Sequence, residues 1–254
     1  GTIMSEPADG MKAVILAGGR GTRLAPYTTV LPKPLVPVGG VPILETVLRQ
    51  LRFHGFGEAV LAVGYLSSLI RAYFDQNPLS KRMKITYHQE QGPLGTAGPL
   101  ATIDEPRDSF LFMNGDLLTT LDYAALMRLH RERDAALTIA VVERKTQIEL
   151  GVLGLNGADD VVSYTEKPVH SYVASMGIYA CAPRIRKYME PGVALDVPSL
   201  VLRLIEAGEK VAGFRSDCFW LDMGNPTDYA RASEAFEANR SQFLRDEAAV
   251  DPAR

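Results

Sequence analysis

The sequence predicts an α/β fold, a mixed and mainly parallel sheet flanked by helices. Short apolar runs alternate along the chain with longer amphipathic stretches, the pattern of βαβ units. The first run, Met11–Ala17 (MKAVILA), is apolar on both faces, as a strand buried between two helical layers must be. Gly151–Tyr164, with Asn156-Gly157 at its centre, reads as an antiparallel hairpin and makes the sheet mixed.

Taken in order, Pro42–His54 carries Ile43, Val47, Leu48 and Leu51 at helical spacing, and the chain returns through a strand at Glu58–Val63. Ser67–Phe74 reads as a helix, Lys84–Tyr87 as a strand, and Gly95–Ile103 as the start of another helix. Phe110–Met113 (FLFM) is a buried strand, Leu121–Arg133 a helix and Leu137–Val142 a strand. After the hairpin come a helix at Ser199–Ala207 stopped by Gly208, a short strand at Val211–Phe214 and a closing helix at Thr227–Asn239.

No repeat or linker divides residues 11–240, which read as one domain. Residues 1–10, starting at Gly rather than Met, read as a tag scar or disordered N-terminus. Residues 241–254 read as a charged, alanine-rich tail at a frayed helix end.

Of the 254 residues 46% are hydrophobic and 22% charged, enough apolar matter for a sizeable core. The net charge of -3 and four scattered His leave no basic face for nucleic acid. Cys181 and Cys218 are too few and too far apart for a zinc knuckle or disulfide framework, and both are expected reduced. Neither a run of about 18 apolar residues nor a signal-peptide pattern occurs, so a cytoplasmic protein without a membrane partner is expected.

The chemistry gathers after the first strand, in Leu16-Ala17-Gly18-Gly19-Arg20-Gly21-Thr22-Arg23-Leu24. Glycines let backbone N–H groups approach anionic oxygens, and Arg supplies forked donors that match phosphate. A plain strand-to-loop turn would use the same glycines. The dinucleotide fingerprint fails, because Leu24 stands where its third glycine belongs, and no P-loop pattern is present. Downstream, Leu31-Pro32-Lys33-Pro34-Leu35-Val36-Pro37-Val38 holds one Lys between prolines that fix φ on both sides. An isolated Lys is ordinarily a solvated charge, but this bracketing pre-aims Lys33.

These two motifs together resemble the signature of the sugar-1-phosphate nucleotidylyltransferase family, closest to its mannose-1-phosphate and heptose-1-phosphate guanylyltransferase branch. Further matches follow in family order at Pro93–Gly98, Asn114-Gly115-Asp116, Glu166-Lys167-Pro168, Gly177-Ile178-Tyr179 and Trp220–Gly224, covering roughly residues 11 to 234. The resemblance implies a Rossmann-like core with an inserted sugar-binding region. It implies nucleoside triphosphate and sugar 1-phosphate as substrates, and it is compatible with a homodimer. A left-handed β-helix, present after the catalytic domain in some relatives, is not expected in the residues that remain.

Carried over position by position, Leu16, Ala17, Gly18, Gly19, Gly21 and Thr22 would hold the nucleotide, with Gly95 and Thr96. Arg23 would sit on the leaving pyrophosphate and Lys33 would bridge the reacting phosphates. Asp116 and Asp222 would hold Mg²⁺, since two carboxylates with waters and phosphate oxygens suit its octahedron. Asn114, Gly151, Glu166, Lys167 and Gly177 would form the sugar-phosphate side. Leu150 and Ser175-Met176 depart from residues common in relatives, which leaves the sugar open.

Glu90 stands where uridylyl and thymidylyl relatives tend to have Gln. A carboxylate can accept together the side-by-side N1–H and N2–H donors of guanine, which favours GTP; Gln89 and Gln91 are alternative base-facing residues. UTP, dTTP, another nucleotide or a cyclitol phosphate would suit the same chemistry. An NAD-dependent oxidoreductase is disfavoured by Leu24. A phosphotransferase suggested by His130-Arg131-Glu132-Arg133-Asp134 is disfavoured by spacing, and helical surface charge explains that run better. A non-catalytic NDP-sugar-binding paralogue would not need Arg23, Lys33, Asp116 and Asp222 together.

Overall fold

A computed structural model describes residues 10–248. In chain order its elements begin with β1 (Met11–Leu16), β2 (Pro37–Val38), β3 (Val41–Pro42), α1 (Ile43–Phe53), β4 (Phe56–Val63), α2 (Ser67–Asp75) and β5 (Lys84–Gln89). There follow α3 (Pro99–Thr102), β6 (Phe110–Asn114), β7 (Leu117–Thr119), α4 (Tyr123–Glu132), β8 (Leu137–Gln147), β9 (Val152–Leu155) and β10 (Val161–Thr165). The last are β11 (Val169–Cys181), α5 (Val197–Glu206), β12 (Val211–Arg215), β13 (Trp220–Asp222), α6 (Pro226–Ala238), α7 (Arg240–Phe243) and α8 (Arg245–Ala248).

Seven strands form the main sheet in the order β12-β8-β11-β6-β1-β4-β5. Pairings β5–β4, β4–β1, β1–β6 and β8–β12 are parallel, and β11 runs antiparallel to both its neighbours. The twofold periodicity of the strands sorts their side chains into two cores. Ala13 and Ile15 of β1, Leu61 of β4 and Leu111 and Met113 of β6 pack with Val47, Leu48 and Leu51 of α1, Phe74 of α2 and Leu126 of α4. Val14, Val60, Phe110 and Phe112 face the other way, against Leu100, Leu200 and Leu204. A third cluster joins Leu118, Leu221 and Met223 to Phe236, Phe243 and Leu244. None of the described helices is long and apolar enough to cross a membrane.

Most predicted elements occur within one or two residues of their expected ends, and four differences have physical causes. The helix expected from Gly95 is only Pro99–Thr102, because Gly95 adopts a left-handed φ of 74°. The strand from Leu137 runs on to Gln147 because β11 pairs with it as far as Val169. β11 itself escapes sequence reading: its outer half, Val169–Val173, is exposed on both faces, so no buried apolar pattern announces it. The tail is not frayed as far as it is described. Phe243 and Leu244 are buried, and Arg49 on α1 makes a forked pair with Asp246 at 2.7 and 2.9 Å.

His130 is likewise not surface charge. It lies on the inner face of α4, 1% exposed, with Nδ1 2.8 Å from the Thr138 hydroxyl.

Candidate active site

The strand order creates the site. From β1 the chain moves outward through β4 to β5, then returns to place β6 on the opposite side of β1. Open α/β sheets bind ligands where the order reverses in this way, beyond the carboxyl ends of the strands. Leu16 is level with Ala62 on one side and with Asn114 on the other, so three strand ends share one rim. Above it lies a cleft of about 440 Å³.

One wall is the glycine loop. Gly18, Gly19 and Arg23 line the cleft, as do Lys33 and Pro34 from the proline-bracketed turn. Gly21 and Thr22 do not line it. Gly21 stands behind, at φ 62°, where a Cβ would come within 2.9 Å of the Lys33 Cβ. Opposite, Glu90, Pro93, Leu94, Gly95 and Thr96 form the second wall, and neither Gln89 nor Gln91 reaches it. A Cβ at Gly95 would lie 2.5 Å from the Leu195 carbonyl oxygen, and the Thr96 hydroxyl accepts from the Val197 amide at 3.0 Å. Those contacts tie the wall to the start of α5.

Asn114, Gly115, Asp116 and Asp222 close the cleft. The Gly115 amide donates to the Leu16 carbonyl at 2.9 Å, an approach that a Cβ, 2.7 Å from that oxygen, would prevent. Asp222 joins Asp116 through the antiparallel pairing of β13 with β7, which sets Asp222 opposite Leu117. The Met223 amide also donates to the Asp116 carbonyl, at 3.2 Å.

The charges are concentrated. Lys33 Nζ is ion-paired with Asp116 Oδ2, both side chains being largely shielded. Burial, and then the charge of Asp116, push the Asp222 carboxyl above its ordinary range, against the opposing pull of Lys33 and Arg23. Gly224 separates two of these groups: a Cβ there would lie 3.4 Å from Arg23 Nη2 and 3.5 Å from Asp222 Oδ1. Burial also raises Glu90.

The donor set fits a hard divalent cation. Two neighbouring carboxylates, one of them held back from ionising by burial and then by the charge of the other, are relieved by a dication, and oxygen donors suit Mg²⁺. Among the described residues no group of three or more His, Cys, Asp or Glu could hold a metal, so ligand and water oxygens would complete the shell.

The residues expected on the sugar side divide. Gly177, at φ 72°, packs on Asn114, whose Nδ2 a Cβ would approach to 2.7 Å. Gly151, Glu166 and Lys167 gather instead at the β9–β10 hairpin and do not line the cleft. Tyr164 donates its hydroxyl to Glu166 at 2.7 Å and covers Gly151, while Lys167 Nζ lies 3.6 Å from Glu149. Sequence reading missed Ala62, a cleft residue in no motif. Its only signal is a small side chain ending the second strand, level with Leu16.

A family model described as "Nucleotidyl transferase" matches residues 12–239. The chain is 32% identical to a UTP–glucose-1-phosphate uridylyltransferase of Synechocystis sp., the match covering 87% of this chain and 62% of that protein. It is 31% identical to a mannose-1-phosphate guanylyltransferase of Mycobacterium tuberculosis, over 94% of this chain and 71% of the other. The crystal structure of HddC from Yersinia pseudotuberculosis complexed with GMP-PN superposes with a TM-score of 0.66 at 27% identity, covering 89% of this chain and 99% of that one. The chain thus spans about three fifths of the length of the first of these relatives. With the match running from the second residue of β1 to the end of α6 and enclosing every residue that lines the cleft, the chain belongs to the nucleotidyl transferase family.

Proposed function

We propose that this chain transfers a nucleotidyl group from a nucleoside triphosphate, GTP being favoured, to a sugar 1-phosphate, giving an NDP-sugar and pyrophosphate. The convergence of Arg23, Lys33, Asp116 and Asp222 on one cleft at the strand-order reversal, with Glu90 on its other wall, carries the reading. An oxygen of the sugar phosphate attacks the α-phosphorus; the new P–O bond forms as the bond to the bridging oxygen breaks and pyrophosphate leaves. That phosphate, with a second pKa of about 6, is largely ionised at neutral pH and needs no general base. Charge growing on the bridging oxygen is met by Lys33 and Arg23, fixed before the reaction begins. Mg²⁺, when bound by Asp116 and Asp222, would supply further charge neutralisation at the phosphates.

For the base, the half-buried Glu90 is matched to the paired N–H donors of guanine. The guanylyltransferase relative and the guanine-nucleotide complex support GTP, and the uridylyltransferase relative supports the wider class. The sugar is then of mannose or heptose type, held from the Gly177 and hairpin side. The protein acts as a cytoplasmic enzyme.

The test is pyrophosphate release with Mg²⁺, the five common nucleoside triphosphates and a panel of sugar 1-phosphates. Release confined to GTP with a mannose- or heptose-type phosphate is expected. Release with UTP or dTTP would refute the base assignment and keep the class. No release with any sugar 1-phosphate would overturn the proposal in favour of a cyclitol phosphate substrate or a non-catalytic binding protein.

A further inference from the structure

Thr28 belongs to none of the residues discussed so far, yet it is the anomaly of its segment. It sits in a short 3-10 turn, Tyr27–Thr29, whose neighbours Tyr27 and Val30 are 57% and 71% exposed, while Thr28 is 4% exposed. Two contacts bury it. Its hydroxyl donates to the Gly21 carbonyl at 2.6 Å, and its Cγ2 methyl faces the Gly21 Cα so closely that a Cβ on Gly21 would lie 2.8 Å away. The same imaginary Cβ would lie 2.9 Å from the Cβ of Lys33. Gly21, Thr28 and Lys33 therefore meet at one point behind the phosphate side of the cleft.

We infer that Thr28 is a positioning residue that locks the glycine loop to the Lys33 turn, an inference that rests on the nucleotidyl-transfer reading. A peptide unit is planar, so a hydrogen bond that holds the Gly21 carbonyl fixes the whole unit and turns the Thr22 N–H in the opposite direction. The carbonyl also accepts from the Leu24 amide at 2.9 Å, which closes the turn bearing Arg23. Arg23 and Lys33, two cations of the cleft wall, thus stand on turns that both close on Gly21, whose carbonyl Thr28 holds from behind. Because transition-state stabilisation depends on where fixed charge stands, and a misplacement of about 1 Å can cost about 100-fold in rate, loosening this point acts on turnover before it acts on substrate capture.

Thr28→Val keeps the shape and removes the hydroxyl, whereas Thr28→Ser keeps the hydroxyl and removes the methyl. Each is compared with wild type in steady-state kinetics, in thermal unfolding, and in affinity for magnesium pyrophosphate by calorimetry. In Thr28→Val, kcat is expected to fall by about 10- to 100-fold and pyrophosphate binding to weaken, with KM for the nucleotide changed by less than about threefold. Thr28→Ser should restore kcat to within about threefold of wild type. Wild-type kcat and pyrophosphate affinity in Thr28→Val would overturn the inference. So would equal impairment of both variants, or a loss that merely follows the folded fraction. A wild-type protein without turnover defeats the functional reading instead, and the role of Thr28 is then decided by pyrophosphate affinity alone.

Discussion

At the scale of single residues, the cleft assigns different work to its charges. Lys33, fixed between Pro32 and Pro34 and paired with Asp116, would under the proposed reaction meet the charge that grows on the bridging oxygen. Lys33→Ala should lower kcat by about 100- to 1000-fold while nucleotide affinity changes little. Equal losses in both would make Lys33 a binding group only. Glu90→Gln should move discrimination away from GTP and towards UTP or dTTP by at least about tenfold in kcat/KM, since an amide presents a donor to one of the two guanine N–H groups. An unchanged preference would remove Glu90 from the base site.

His130 gives a pH dependence unrelated to catalysis. Burial first, then Arg131 and Arg184, push its pKa down to about 4, so it stays neutral in the native protein while the unfolded chain titrates near the ordinary 6.5. Between those values the unfolded state binds more protons, and stability falls with falling pH by about 3 kcal/mol. Denaturant titrations from pH 7 to pH 4 should show this slope in the wild type and its flattening in His130→Gln.

At the scale of elements, the cleft owes its shape to pairings that no local motif reveals. The glycine loop and the Lys33 turn are legible because each lies in one short stretch whose glycines and prolines dictate backbone geometry. The meeting of Asp116 and Asp222 is not local, since it depends on β13 lying against β7, two three-residue strands too short for any periodic signal. β11 is hidden for a related reason. Thirteen residues long, it changes from an exposed outer half to an inner half of alternating buried and half-buried residues at Met176, beside the irregularity between Ser175 and Tyr179 in its pairing with β8.

The packing of α7 and α8 is not legible in the sequence because Phe243 and Leu244 form an apolar pair too brief to show a helical face. In the fold Phe243 is 1% exposed, stacked on Phe236 with ring centroids 5.4 Å apart and edge-on to Phe219 at 5.5 Å. Phe243→Ala should cost about 3–5 kcal/mol and lower Tm by about 10 °C in a calorimetric scan. A shift of a degree or less would mean that the tail does not brace the protein.

At the scale of the whole molecule, sheet class, strand order reversal and cleft follow one another. Alternating apolar strands and amphipathic helices were readable from periodicity alone. The location of the cleft follows from the return of the chain to the far side of β1. The least legible part is the hairpin side, because Gly151, Glu166 and Lys167, expected near the sugar, sit on an exposed hairpin whose position no burial pattern encodes.

The central claim is that the α-phosphorus of the nucleotide is the atom attacked. The most direct measurement uses GTP labelled with ³²P at either the α or the γ position, incubated with Mg²⁺ and the sugar 1-phosphate that gives the fastest turnover. The expected result is α label in the NDP-sugar and γ label in pyrophosphate. Label from the γ position on the sugar phosphate, or released as free orthophosphate while the sugar remains unlinked, would contradict it.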